Sequence, residues 1–177
     1  MTAARPRMAT VWLDGCSGCH MSFLDLDERL LELAGLADLV YSPLVDAKEY
    51  PEGVDVCLVE GAVSSTDDLE RIRVVRRRTT TLVSFGDCAV TANVPSMRNP
   101  IGPGPLLQRA YVDNVDLRPG VPTDVVPALL AQSVPVHRAV PVDVFLPGCP
   151  PSADVIYETL LRLLGVEAPP ERPLRFG

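Results

Sequence analysis

Short runs of apolar residues alternate with longer stretches of helical periodicity along most of this chain. Residues 8–13 (MATVWL) are mainly apolar and predict a strand buried on both faces. After a D-G-C-S-G-C turn, Phe23, Leu26, Leu30, Leu31 and Leu33 recur at helical spacing, predicting one helix over 20–34 that stops before Gly35. Residues 39–44 and 54–59 are the next two strands. Ser64, Ser65 and Thr66 offer helix caps and Asp67 and Asp68 suit a helix N-terminus, so a helix is expected from there to about Arg77. Residues 81–85 form the fourth strand. The pattern then breaks over 89–105, where prolines and glycines predict a long loop. Short helices are expected at 106–112 and 123–132, and a fifth strand at 142–146. A last amphipathic helix opens at Pro151 and Ser152, runs through Leu164 and ends at Gly165.

Strand–helix alternation of this kind implies an α/β fold with a flavodoxin-like, doubly wound parallel sheet. The expected organisation is a single domain over 1–177, with a core of about 8–165 and an extended C-terminal tail, 166–177. No internal repeat is visible.

That architecture gives the cysteines their meaning. Cys16 and Cys19 form a C-x-x-C pair, Cys88 lies in G-D-C, and Cys149 lies in P-G-C-P-P. Each follows an expected strand, and in open α/β sheets ligands gather outside the carboxyl ends of the strands. Cys19 and Cys88 are separated by 68 residues and Cys88 and Cys149 by 60, which forbids a local zinc finger but suits a site assembled by the fold. Four thiolates on one edge suit an iron–sulfur cluster or a structural zinc ion, and unligated thiols are the third reading. In the C-S-G-C turn Gly18 permits a backbone angle closed to other residues, and a helix starting near His20 would aim its N-terminus at an anionic cluster. Pro150 and Pro151 stiffen the segment after Cys149. Cys57, inside V-D-V-C-L-V-E, reads as a buried strand residue.

Composition narrows the function classes. With 16 basic and 23 acidic residues the net charge is −7, which argues against nucleic-acid and anionic-membrane binding. No run reaches the roughly 18 apolar residues of a membrane span, and no export signal is visible, so a cytoplasmic protein with reduced thiols is expected. An apolar fraction of 47% over 177 residues is ample for a core. Dinucleotide and P-loop glycine motifs are absent.

Taken together, C-S-G-C-H-M-S at 16–22, V-E-G-A-V at 59–63, G-D-C-A at 86–89 and P-G-C-P-P at 147–151 resemble the small subunit of nickel–iron hydrogenases, in the right order. The resemblance implies a proximal [4Fe–4S] cluster ligated by Cys16, Cys19, Cys88 and Cys149, beside the nickel–iron centre of a large subunit. Further cysteines for medial and distal clusters, common in that family, are missing. The short single-cluster type most resembles the small subunits of NAD-reducing hydrogenases, where electrons pass to iron–sulfur/flavin diaphorase subunits. The related complex I subunit shares P-G-C-P-P but carries adjacent cysteines in its first motif. A four-cysteine zinc-binding interaction module is the alternative from another class. FMN is not expected, because the turn that would cradle its phosphate carries Cys16 and Cys19.

Gly18, Ser22, Glu60 and Pro150 are expected around the cluster. Ser22 would bond nearby backbone, and Glu60 would cap loop N–H groups or move protons. His20 is expected to be a donor to the cluster or a partner, or else a solvated capping residue. Arg71, Arg73, Arg76, Arg77 and Arg78 read as a solvated face or a docking patch for an acidic partner, and Trp12 as core. The large-subunit interface is expected on the 89–105 loop and the apolar edges beside the cysteines.

Overall fold

The computed structural model describes residues 5–166, so the expected tail beyond Val166 lies outside the described residues. The strands are β1 (Arg7–Trp12), β2 (Asp38–Tyr41), β3 (Val54–Glu60), β4 (Val63–Ser65), β5 (Thr79–Phe85), β6 (Leu129–Val134) and β7 (Val144–Leu146). The helices are α1 (Gly18–Leu24), α2 (Arg29–Leu36), α3 (Thr66–Arg77), α4 (Asp87–Thr91), α5 (Pro103–Gln108), α6 (Val136–Ala139) and α7 (Ala153–Leu163). β2-β1-β3-β5-β7 pair in parallel in that order, the flavodoxin-like arrangement, and contain all five expected strands.

Both faces of the sheet are covered, which is why its strands read as apolar runs rather than alternating ones. One core holds Ala9, Val11, Cys57 and Val59 against Ile72 and Val75 of α3 and Val136 of α6. The other holds Met8, Leu58 and Phe85 against Phe23 of α1, Leu33 of α2, and Ile156 and Leu160 of α7. α3 begins as its sequence suggests. The Ser65 side chain accepts from the Asp68 N–H while the Asp68 carboxylate accepts from the Ser65 N–H, a capping box.

Several expectations are corrected. The single helix over 20–34 is two, broken after Leu24. Leu26 turns inward there at 1% exposure, while Asp27 takes a positive φ of 51°. α2 then runs through Gly35, which no neighbour crowds. The 89–105 loop contains most of α4, a 3-10 turn at Val94–Arg98 and the start of α5. Prolines stand at the first turns of the latter two, where a missing N–H costs nothing. The helix expected at 123–132 is absent, and Leu129–Val134 instead forms β6, antiparallel to β4.

β7 is pinned to β5 ahead of its own pairing. Asp143 accepts from the Leu82 N–H at 2.7 Å and from Arg76 of α3. Burial opposes ionisation of this carboxyl, but those donors outweigh it and hold the pKa below the ordinary 3.8. A depressed carboxyl stabilises the fold above its unfolded pKa and loses that contribution as pH falls through its folded value. Asp143→Asn should therefore lower stability at neutral pH, with the gap to wild type closing below about pH 4. Urea melts across pH check this. Ser65→Ala should cost about 1 kcal/mol in the same assay.

Candidate functional site

Because β1, β5 and β7 run in parallel, their carboxyl ends share one edge, and each hands the chain to a segment carrying cysteine. Cys16 lies in the turn after β1, Cys19 in the first turn of α1, Cys88 in the first turn of α4, and Cys149 in the loop after β7. Backbone ties draw these segments together. The Gly86 N–H donates to Leu146 O at 2.8 Å, and Asp87 and Gly148 exchange two bonds, Asp87 N–H to Gly148 O at 2.8 Å and Gly148 N–H to Asp87 Oδ1 at 2.7 Å. Ser22 Oγ donates to Pro151 O at 2.6 Å, fastening α1 to the cysteine loop that contains a cis Cys149–Pro150 bond.

The two less exposed thiols, Cys19 and Cys88, feel their neighbours. Burial, then Glu60, then Cys88, Cys16 and Cys149 raise the pKa of Cys19 far above the usual thiol range. Cys88 is raised by burial first and by Cys16, Cys149 and Glu60, with partial relief from the Val94 N–H donating to its sulfur. Cys16 and Cys149 are exposed at the rim. Cys57 stands apart, fully buried within β3, where burial pushes its thiol up to about 12. Among the described residues, no group of three or more His, Cys, Asp or Glu lies in the arrangement a single metal ion needs.

The packing around the sulfurs leaves no room for a side chain at Gly86 and only tight room at Gly18. A Cβ on Gly86, whose φ is +81°, would stand 2.1 Å from Cys19 Sγ. Gly18 does not supply the unusual backbone angle expected of it, because the positive φ of this turn belongs to Ser17 at 70°. A Cβ on Gly18 would meet Cys16 Sγ at 3.3 Å.

Glu60, at the end of β3, is only 2% exposed. Its carboxylate accepts from the Cys19 N–H at 3.3 Å and the His20 N–H at 2.9 Å, and pairs with His20 Nδ1. The start of α1 is thus satisfied by Glu60, and those amides are not the ones aimed at a cluster. His20 is neither solvated nor poised toward a partner. It is 2% exposed, its Nε2 lies 3.0 Å from Thr10 Oγ1, and its ring stacks on Trp12 at 5.6 Å. Thr10 in turn donates to Ser42 Oγ at 2.8 Å. Trp12 is half-buried at the end of β1, covering this buried chain.

Two neighbours of the sulfurs escape sequence reading. Asn93 Nδ2 lies 3.6 Å from Cys149 Sγ, and the Val94 N–H reaches Cys88. Both sit in the stretch expected to be a loop, where a backbone turn at Ala92 (φ 65°) sets them, and a lone asparagine there gives no signal. The arginine group divides. Arg76 pairs with Asp143, and Arg78 with Glu52 at 2.7 Å, so two of the five serve the fold. Arg71 reaches Trp12 O at 3.5 Å, while Arg73 and Arg77 face solvent.

A family model described as NADH ubiquinone oxidoreductase, 20 Kd subunit, matches residues 16–163. Subunit delta of the NAD-reducing hydrogenase HoxS from Cupriavidus necator is 40% identical over 159 residues, covering 87% of this chain and 76% of that protein. A crystal structure of an NAD+-reducing [NiFe]-hydrogenase superposes with a TM-score of 0.90 at 41% identity, covering 98% of this chain and all of that one. This chain belongs to that family as a nickel–iron hydrogenase small subunit. A hydrogenase component from Methanocaldococcus jannaschii is 34% identical over 165 residues, covering 92% of this chain, but the chain spans only 57% of it. A [NiFeSe]-hydrogenase of Dm. baculatum, at 20% identity and a TM-score of 0.60, shares the fold. The hydrogenase small subunit is an oxidoreductase component, and among its described residues no helix is long and apolar enough to cross a membrane.

Because Gly86 borders Cys19 so tightly, Gly86→Ala should displace that thiol. Timed alkylation of the metal-free protein, read by mass spectrometry, should show Cys19 reacting long after Cys16 and Cys149 in wild type. In the variant it should react at least about tenfold faster, as its burial is lost.

Proposed function

We propose that this subunit carries one proximal [4Fe–4S] cluster on Cys16, Cys19, Cys88 and Cys149, and relays electrons between a hydrogen-splitting large subunit and an iron–sulfur/flavin diaphorase module in the cytoplasm. The observation that carries this reading is the delivery of four cysteines to one edge by three parallel strand ends, whose segments the Gly86–Leu146, Asp87–Gly148 and Ser22–Pro151 bonds tie together. The residues fit the group. An all-thiolate donor set is what a cubane requires, and Gly86 leaves the space beside Cys19 free of a side chain. A single zinc ion fits less well, because no three of these donors stand in the arrangement that one ion needs.

When bound, the cluster supplies one-electron chemistry. The chain's own residues do the rest. Burial of Cys19 and the surrounding core excludes water from one side, while exposed Cys16 and Cys149 keep the other side at the surface, within reach of a partner. The Asn93 amide and the Val94 N–H beside Cys149 and Cys88 stabilise charge on sulfur and so favour the reduced state, whereas the buried Glu60 charge opposes it. Ser22 holds the Cys149 loop through Pro151 O. The NAD-reducing relative supports the diaphorase link, and exposed Met21, Val94, Met97 and Ile101 beside the cysteines support a covering large subunit.

Anaerobically purified protein should show broad visible absorption that bleaches with dithionite. Cys88→Ser and Cys149→Ser should each lose most of it, and Cys57→Ser should retain it. A colourless wild type, or equal loss in Cys57→Ser, contradicts the ligand assignment.

A further inference from the structure

Between the turn after α5 and β6 the chain leaves the body of the protein. Fourteen consecutive residues, 116–129, are exposed. Solvated arms are normally polar, yet this one shows Leu117 at 84% exposure, Val121 at 37%, Val125 at 104%, Val126 at 45% and Leu129 at 38%. It carries only three charges, Asp116, Arg118 and Asp124. That composition is opposite to the low-hydrophobicity, high-charge signature of a permanently disordered segment. Pro119, Pro122 and Pro127 limit its conformations, so little freedom is left to lose on docking. Val125 has a φ of 66°, uncommon and costly for a β-branched residue, and its side chain is fully exposed among the described residues.

The root of the arm lies beside the turn that borders the cysteines. β6, which begins at Leu129, pairs with β4 and is bolted to the 3-10 turn beside the cysteines. Arg98 donates to Leu130 O at 3.0 Å and to Ser64 O at 3.0 Å, while Asn99 and Ser133 exchange bonds at 2.8 and 2.7 Å. That same turn exposes Val94 and Met97 and starts beside Asn93, which touches Cys149. The root of the arm therefore adjoins the turn that exposes Val94 and Met97 at the cysteine rim. Anchored through Gly120 N–H to Tyr111 O and Thr66 N–H to Ala128 O, the stretch between them reaches at most about 12 Å from its root. A subunit seated on the rim beside Val94 and Met97 would border the root of the arm.

We propose that residues 116–129 are a clamp that lies in an apolar groove of the large subunit, extending the contact made at the cysteine rim. The proposal rests on the reading that a large subunit covers that rim. Because the arm is remote from the core, aspartates there leave the fold intact, and they introduce charge into a desolvated contact.

The test is co-expression with the large subunit and affinity capture through this chain. The double variant Leu117→Asp/Val125→Asp should retain at least about tenfold less large subunit than wild type, with unchanged visible absorption and melting temperature. A photo-cross-linking residue at position 125 should couple to the large subunit in the wild-type complex. Undiminished capture by the double variant, or coupling only to a second copy of this chain, overturns the clamp while leaving the relay reading intact. Wild type that captures no large subunit overturns both.

Discussion

Five groups that carry negative charge when ionised meet at one edge of this sheet: four cysteine thiols and the buried carboxylate of Glu60. Water is excluded from part of that space, so ionising them together is costly unless opposing charge is supplied. The protein supplies some of it through the Cys19 and His20 N–H groups and the imidazole of His20. The thiols receive less, chiefly Asn93 and the Val94 N–H. In the metal-free chain Cys19 and Cys88 are accordingly pushed toward the protonated form. A cationic iron core would complement such a donor set, held by Cys16, Cys19, Cys88 and Cys149 as thiolates.

The scaffold explains why the arrangement is rigid. β3 and β5 are buried along most of their length, so the segments that leave their carboxyl ends have little freedom. The Asp87–Gly148 exchange then fixes the α4 turn against the Cys149 loop, and Ser22 fixes that loop against α1. The Glu60–His20–Thr10–Ser42 chain crosses from β3 through α1 to β1 and the segment after β2. Every member is buried and partnered, which is the condition under which a polar network specifies one structure.

The parts legible in the sequence were those written in periodicity or in covalent chemistry. Apolar runs marked the five parallel strands because both faces of each are covered, and strand ends placed the cysteines. The capping residues Ser65 and Asp68 marked α3. What stayed hidden depended on contacts distant along the chain. The break after Leu24 follows from the inward packing of Leu26, which helical spacing alone does not reveal. β6 carries Gln132 and Ser133 on a half-exposed ladder and owes its extended form to β4, Arg98 and Asn99. His20 reads as a surface residue of a metal motif, and only the fold brings Glu60 and Thr10 to its two ring nitrogens. Gly18 shows the same lesson at smaller scale, since spacing marked the turn correctly but the positive φ fell on Ser17.

The most direct measurement is iron and acid-labile sulfide content of the anaerobically purified subunit complex, corrected for other chains by the Cys16→Ser complex. The account predicts a difference of about four iron and four sulfide per copy, as a cubane requires. A difference of one zinc without sulfide, or no difference at all, would contradict it.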